Sequence, residues 1–360
     1  LVLGLMTMGV LSACGGDSES VPEEGSVGGI GEGLAEIPAV PGRGGPLGAV
    51  PVPEENPLTY AKAALGQQLF FDPRLSVDGS RSCYSCHQNE DGNGGAEAKA
   101  VGAANRQLTR HSPVIWNVAY MTRFYWDGRS GSLEAQAKGA WGGGNMGVGA
   151  ENLDAKAAEI GTISGYAEQF QAVFGDRGAT AETVAEAIAS YERTLVCDDT
   201  RYDKFSAGDR GALNAEEQRG LELFNGKAAC ATCHTPPFFS AQFASNDGIY
   251  YNVGIGIDGV PEEQVDVGRQ AVTGQAEDWA AFKVPSLRNV AESSPYFHDG
   301  SVQSLEEAVR YMAGPGVDNK NLTPLLMDRQ LTDDEVAAVV AFLGSLSCQG
   351  VLTQPDLPGS

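Results

Sequence analysis

Two short motifs constrain this 360-residue chain more than any other feature: Cys83-Tyr-Ser-Cys-His87 and Cys230-Ala-Thr-Cys-His234. C-x-x-C-H is the attachment pattern of a c-type haem. The two thiols bond to the porphyrin edge, and the histidine takes one axial face of the iron. Cysteine and histidine also bind zinc, but three donors this close together are poorly placed to close one tetrahedron. Read as haem sites, the motifs assign Cys83, Cys86, Cys230 and Cys233 to covalent attachment and His87 and His234 to iron. Each iron has a second axial face. Two more histidines, His111 and His298, and four methionines past the N-terminal stretch, Met121, Met146, Met312 and Met327, form the short list for it.

The N-terminal stretch LVLGLMTMGVLSAC carries no charge and is too short to span a bilayer. Residues 1–14 read as a lipoprotein-type export signal of a Gram-negative bacterium, with Cys14 as the acylated residue; a plain signal peptide is the alternative. Either reading exports the chain to the periplasm, where covalent haem belongs. Residues 15–56, rich in Gly, Pro, Glu and Ser, read as a flexible tether, with order beginning near Asn56. Of seven cysteines, Cys197 and Cys348 are left over, and in an oxidising compartment they invite a disulfide; two buried thiols are the alternative. A formal net charge of −23 repels nucleic acid and acidic membranes, so membrane contact is expected only through the lipid. The same charge suits a basic protein partner.

The chain repeats itself. ALGQQLFFD precedes the first motif and RGLELFNGK the second; WDGRSGSLEAQA and HDGSVQSLEEAV follow them. A duplication gives two domains, residues 57–200 and 205–350. Apolar residues at helical spacing predict helices over Tyr60–Phe71, Ala181–Leu195, Ala215–Phe224, Leu305–Met312 and Thr332–Leu346. Ser304 and Thr332 open capping boxes. Long glycine-rich loops lie between, as expected around a cofactor that supplies much of the core. The fold class is all-α, with two cytochrome c-like domains, each carrying one haem.

From Leu65 to Leu346 the sequence resembles the bacterial di-haem cytochrome c peroxidase family, which includes MauG-like enzymes. LGQQLFFDPRLS, CYSCH, RHSPVIWNVAY, FYWDGRSGSLEAQAKG, SYERTLV, CATCH and FKVPSLRNVAESSPYFHDGSVQSLEEAV carry the resemblance. It implies an N-terminal haem that reacts with hydrogen peroxide and a C-terminal haem that relays electrons. It also implies that Met312, fourteen residues after His298, binds the second iron. MauG-like members have tyrosine there. Tyr311 is adjacent, but one helical residue turns about 100 degrees, so both cannot face the iron. Trp126 matches the tryptophan that the family places between the haems, and Gln136 a glutamine of the peroxide site.

The chain departs from the family at three positions. Ala103 replaces a histidine that caps the resting N-terminal haem, which implies an open iron there. Asn145 replaces a glutamate that moves a proton during peroxide cleavage; substitution by Glu151, six residues on, and slow turnover are the two alternatives. Met146, next to Asn145, is a rival that could close the open face. His111 replaces an asparagine of an interdomain calcium site, and imidazole is a poor calcium ligand, which argues against calcium without excluding it. The expected activity is peroxide reduction with electrons from a small cytochrome c or copper protein. A MauG-like oxidase acting on a protein partner and a non-enzymatic electron-transfer protein are the alternatives. A homodimer stays open.

Overall fold

The computed structural model describes residues 46–359. The expected signal at 1–14, the acylated Cys14 and residues 15–45 of the expected tether lie outside the described residues. Order begins earlier than Asn56. Leu47 is buried against Ala119 and Tyr120, and the Tyr120 hydroxyl donates to the Gly48 carbonyl at 3.0 Å. One buried leucine and one carbonyl acceptor dock a segment whose composition reads as tether.

The fold is helical. In the first half lie α1 (Tyr60–Phe71), α2 (Leu133–Gly142), α3 (Leu153–Gly161), α4 (Ser164–Phe174) and α5 (Ala181–Glu192). The short α6 (Arg201–Ser206) leads to α7 (Ala215–Asn225), α8 (Gln270–Thr273), α9 (Leu305–Met312) and α10 (Asp333–Gly344). The strands among the described residues are β1 (Tyr250–Tyr251) and β2 (Phe282–Lys283), antiparallel, with Tyr250 opposite Lys283. Side-chain caps start the helices. Thr59 caps α1, and Thr180, Asn214, Ser304 and Thr332 form capping boxes at α5, α7, α9 and α10. The polar sequence around α2 to α4 hid these three helices from periodicity alone.

The duplication is visible in the packing. α1 crosses α5, and α7 crosses α10. At the first crossing a Cβ on Gly66 would overlap the Ala187 carbonyl; at the second a Cβ on Gly220 would overlap the Ala338 carbonyl. Gly66 and Gly220 each precede a Leu-Phe pair, and Ala187 and Ala338 each lie ten residues before a disulfide cysteine. The aromatic pairs repeat too: Phe70 meets Tyr191 edge-on at 5.3 Å, and Phe224 meets Phe342 edge-on at 5.2 Å.

α5 and α10 both end sooner than the periodicity suggests. The carbonyls of Leu195 and Leu346 turn away to accept from the backbone N–H of Asn117 and Asn289. The side chains of the same two asparagines accept from the N–H of Cys197 and Cys348, each at 2.8 Å. Cys197 and Cys348 form a disulfide, so it joins equivalent positions of the two copies. Backbone bonds across the halves are reciprocal as well. His111 N–H donates to the His298 carbonyl at 2.7 Å, and Lys283 N–H donates to the Trp126 carbonyl at 2.8 Å. His111 and Lys283 occupy matching positions, as do Trp126 and His298. Such exchange of contacts is the signature of a two-fold related pair, here within one chain.

Two further ties hold the halves. Arg288, fully buried, makes a two-pronged ion pair with Asp203 on α6, and also donates to the carbonyls of Cys197 and Pro237. Burial works against the Asp203 carboxylate, but the Arg288 and Thr200 hydrogen bonds outweigh it and hold the pKa below the usual value. Residues past 350 run back over the first half. Leu352 is buried, and the carbonyls of Leu352, Thr353 and Pro358 accept from Asn89, Gln67 and Arg74.

The two helix crossings leave no room for a methyl group. Gly66→Ala and Gly220→Ala are each expected to cost about 1–3 kcal/mol through overpacking. The check is a urea titration, in which the midpoint falls at unchanged slope. Gly344→Ala, where an added Cβ meets nothing, serves as the neutral control.

Candidate haem and peroxide site

Each half encloses a cavity beside its motif histidine. One of about 520 Å³ is walled by His87, and one of about 210 Å³ by His234. Trp126, Lys283, Pro285 and Tyr296 line both, so the two spaces share a wall at the junction of the halves.

The histidines are set alike. The His87 Nδ1 hydrogen-bonds the Asn93 carbonyl at 3.2 Å, and the His234 Nδ1 hydrogen-bonds the Phe239 carbonyl at 3.0 Å. Both acceptor residues have left-handed backbone, with φ of +62° and +54°, a conformation uncommon outside glycine. Trp116 Nε1–H fixes the first acceptor by donating to Asn93 Oδ1 at 2.8 Å. Burial pulls both histidines down to about 4, so each is neutral near pH 7. A neutral ring whose Nδ1–H is committed to a carbonyl presents Nε2 as the lone-pair donor, which is what an iron ligand requires. Cys83 and Cys86 are half-buried on the turn leading into His87; Cys230 and Cys233 stand in the wall of the second cavity.

The cavities also hold polar atoms that the protein leaves unpaired. Glu192 Oε2 is buried and has no hydrogen-bond partner, and burial pushes this carboxyl up to about 8. Lys283 is buried between the two spaces with no ion-pair partner among the described residues, and burial alone draws it down to about 8. A group with two carboxylates at its edge suits such a cation. Thiols, histidine and unmatched polar atoms together fit a c-type haem in each cavity. When bound, the haems supply iron that exchanges single electrons and binds a small oxidant.

The candidate residues divide between the two spaces. Gln136 and Asn145 line the first cavity, Met312 lines the second, and Trp126 lines both. Tyr311 is turned away: its hydroxyl donates to the Val253 carbonyl at 2.8 Å. Met121 also stands in the first wall, while Met146 is buried in the apolar core of the first half and Met327 is half-exposed. Ala103 is buried, with its N–H on the Asn145 carbonyl at 2.9 Å. The His111 ring bonds the Glu97 carbonyl at 2.9 Å, and its own carbonyl accepts from Trp126 Nε1–H at 2.8 Å. His298 stacks flat on Phe282 at 3.6 Å and meets Trp126 edge-on at 6.4 Å.

Glu151 is no substitute for a buried carboxyl. It is exposed and accepts from the neighbouring Asn152 amide, because a 3-10 turn at Ala150–Asn152 carries it outward. Two carboxyls line the cavity: Asp127, paired with Arg110 and Arg129, and Glu192, unpaired at the end of α5, which periodicity marks only as part of a helix. Its signal was available in the repeat. Counting back five residues from each disulfide cysteine pairs Glu192 with Leu343, and both line their cavities. In the register of the WDG and HDG motifs, which matches Leu133 with Leu305, Gln136 pairs with Ala308, which lines the second cavity, and Met312 pairs with Ala140. The first cavity is therefore wide and polar, and the second narrow and apolar with a sulfur in its wall.

Comparison with known proteins agrees with this geometry. Residues 60–211 match the family described as di-haem cytochrome c peroxidase, and residues 217–347 match cytochrome c. The chain is 38% identical to a cytochrome-c peroxidase, IdrP1, of Denitromonas iodatirespirans, over 88% of this chain and 89% of that protein. It is 35% identical to the methylamine utilization protein MauG of Methylorubrum extorquens, over 86% and 85%. A crystal structure of a MauG-like protein associated with microbial copper homeostasis superposes with a TM-score of 0.76 at 29% identity, covering 84% of this chain and 94% of the other. With two haem cavities built on one repeated plan, the chain belongs to the di-haem cytochrome c peroxidase family and is a peroxidase-type oxidoreductase with two c-type haems.

Proposed function

We propose that this protein reduces hydrogen peroxide to water at the His87 cavity, drawing electrons through the His234 cavity from a small basic redox protein of the periplasm. One observation carries the reading: the two copies differ at matched positions. Where the second offers Met312, Ala308 and Leu343, the first offers Ala140, Gln136 and Glu192. Met312, on the last turn of α9, serves as the sulfur ligand of the second iron, since thioether–histidine ligation raises the potential of an electron-accepting site. Ala140 and Ala103 have no donor atom to close the first.

The residues divide the work accordingly. The Gln136 and Asn145 amides hold and orient peroxide by hydrogen bonds, and an amide cannot itself carry a proton. Reduction breaks the O–O bond, and two electrons and two protons give two waters. Trp126, in both walls and edge-on to His298, stands on the short path between the cavities. The acidic surface gathers a basic donor and speeds its encounter. A second reading, oxidation of a protein partner as in MauG-like relatives, is favoured by Ala103, which leaves the first iron without a capping histidine. The Tyr311 hydroxyl, committed to Val253, weighs against it.

Met312→Ala should lower the midpoint potential of one haem and leave the other unchanged in a spectroelectrochemical titration. Two unmoved potentials would remove Met312 as a ligand. In the oxidised wild type, electron spin resonance should show a high-spin signal from one haem only. Gln136→Leu should slow the reaction with peroxide by about tenfold or more, measured by stopped-flow at the high-spin band, with both haems retained; the loss of one hydrogen bond to charge forming in the transition state is of this order or larger.

A further inference from the structure

We infer that Glu192 is the proton carrier of the peroxide site, a role no carboxyl near Asn145 can fill. The inference rests on the reading of the His87 cavity as the place of peroxide reduction. Three observations meet at this residue. It lies in the cavity wall, 7% exposed, with Oε2 unbonded. Asp127, the other carboxylate of that wall, is committed to Arg110 at 2.7 Å and to Arg129 at 2.9 Å. And the matched position of the relay half is Leu343, which has no proton to give.

The neighbours leave Glu192 in its neutral form at pH 7. Arg193 is next in sequence, but its guanidinium is held by Glu134 at 2.7 Å, and Glu134 itself disfavours a second negative charge. Tyr191 on its own helix, and Tyr125 and Cys83 from other elements, lie close enough to feel its charge. Arg129 lies over the Tyr125 ring at 3.5 Å and is paired with Asp127. The Tyr125 hydroxyl donates to the Gln136 carbonyl at 2.9 Å, so the same tyrosine borders both Glu192 and the α2 turn that carries Gln136. Both the Glu192 carboxyl and Gln136 line this cavity, with Tyr125 bordering each.

The Glu192 hydroxyl gives its proton to the departing oxygen as the O–O bond breaks. The carboxylate left behind takes the proton of the other peroxide oxygen and is neutral again. The two electrons and two further protons come from the redox donor and from solvent. With burial pushing the carboxyl up to about 8, the donor form predominates at neutral pH and is lost as pH rises through that value.

The test uses the full protein with both haems, verified by mass. Glu192→Gln keeps the shape and removes the proton. It should slow the reaction with peroxide by about 10²-fold, within the usual range for general acid–base catalysis. The decline in wild-type rate above about pH 8 should vanish with it. An infrared spectrum at pH 7 should show a protonated-carboxyl stretch in wild type that is missing from Glu192→Gln, a readout independent of turnover. An unchanged rate and pH profile in the variant would overturn the inference. So would a wild-type rate that stays flat from pH 7 to 9, even if the variant fails to fold. A wild type that does not react with peroxide at all would defeat the reading of the cavity, and this inference with it; a reactive wild type with an indifferent variant would defeat this inference alone.

Discussion

A neutral imidazole tied by Nδ1–H to a backbone carbonyl organises each half of this chain. The tie fixes which nitrogen faces the cavity and how the ring lies, and it is built into loops rather than helices. At Asn93 and Phe239 the backbone takes a left-handed turn to bring its carbonyl under the ring, and Trp116 holds the first of these in place. The four helices of the two crossings then serve as the rigid frame against which those loops close. Rigid positioning of this kind is what a redox site needs, because a ligand that swings changes the potential with it.

On this shared frame the two copies have diverged where side chains meet the cavities and stayed alike where backbone meets backbone. Gly66 and Gly220, Asn117 and Asn289, and the two disulfide cysteines keep matching contacts. Glu192 and Leu343, or Gln136 and Ala308, do not match in chemistry at all. Packing tolerates such exchange because a side chain at a cavity wall has few protein neighbours to clash with. The asymmetry between the two cavities thus rests on few substitutions.

Much of this was legible in the sequence. The C-x-x-C-H motifs placed both sites, and apolar spacing marked helices at α1, α5, α7, α9 and α10, the last two with capping boxes as well. What periodicity missed has physical causes. α3 and α4 are surface helices with short apolar stripes, and Leu47 docks a segment whose glycines and prolines read as free chain. Glu192 was hidden because a carboxylate in a helix ordinarily faces water. Only the register of the repeat, aligned on the cysteines, shows that its position points inward. Glu151, six residues past Asn145, was one possible substitute, and a single 3-10 turn sends it the other way.

The disulfide has a topological effect of its own. It closes residues 197 to 348 into a covalent ring that contains Cys230, Cys233 and His234, while Cys83, Cys86 and His87 lie outside it. The second half is a loop of chain whose covalent closure on the first lies at this disulfide. A protease that nicked any exposed turn of the ring would leave a two-piece chain with both haems still on one molecule, parted only by a reductant.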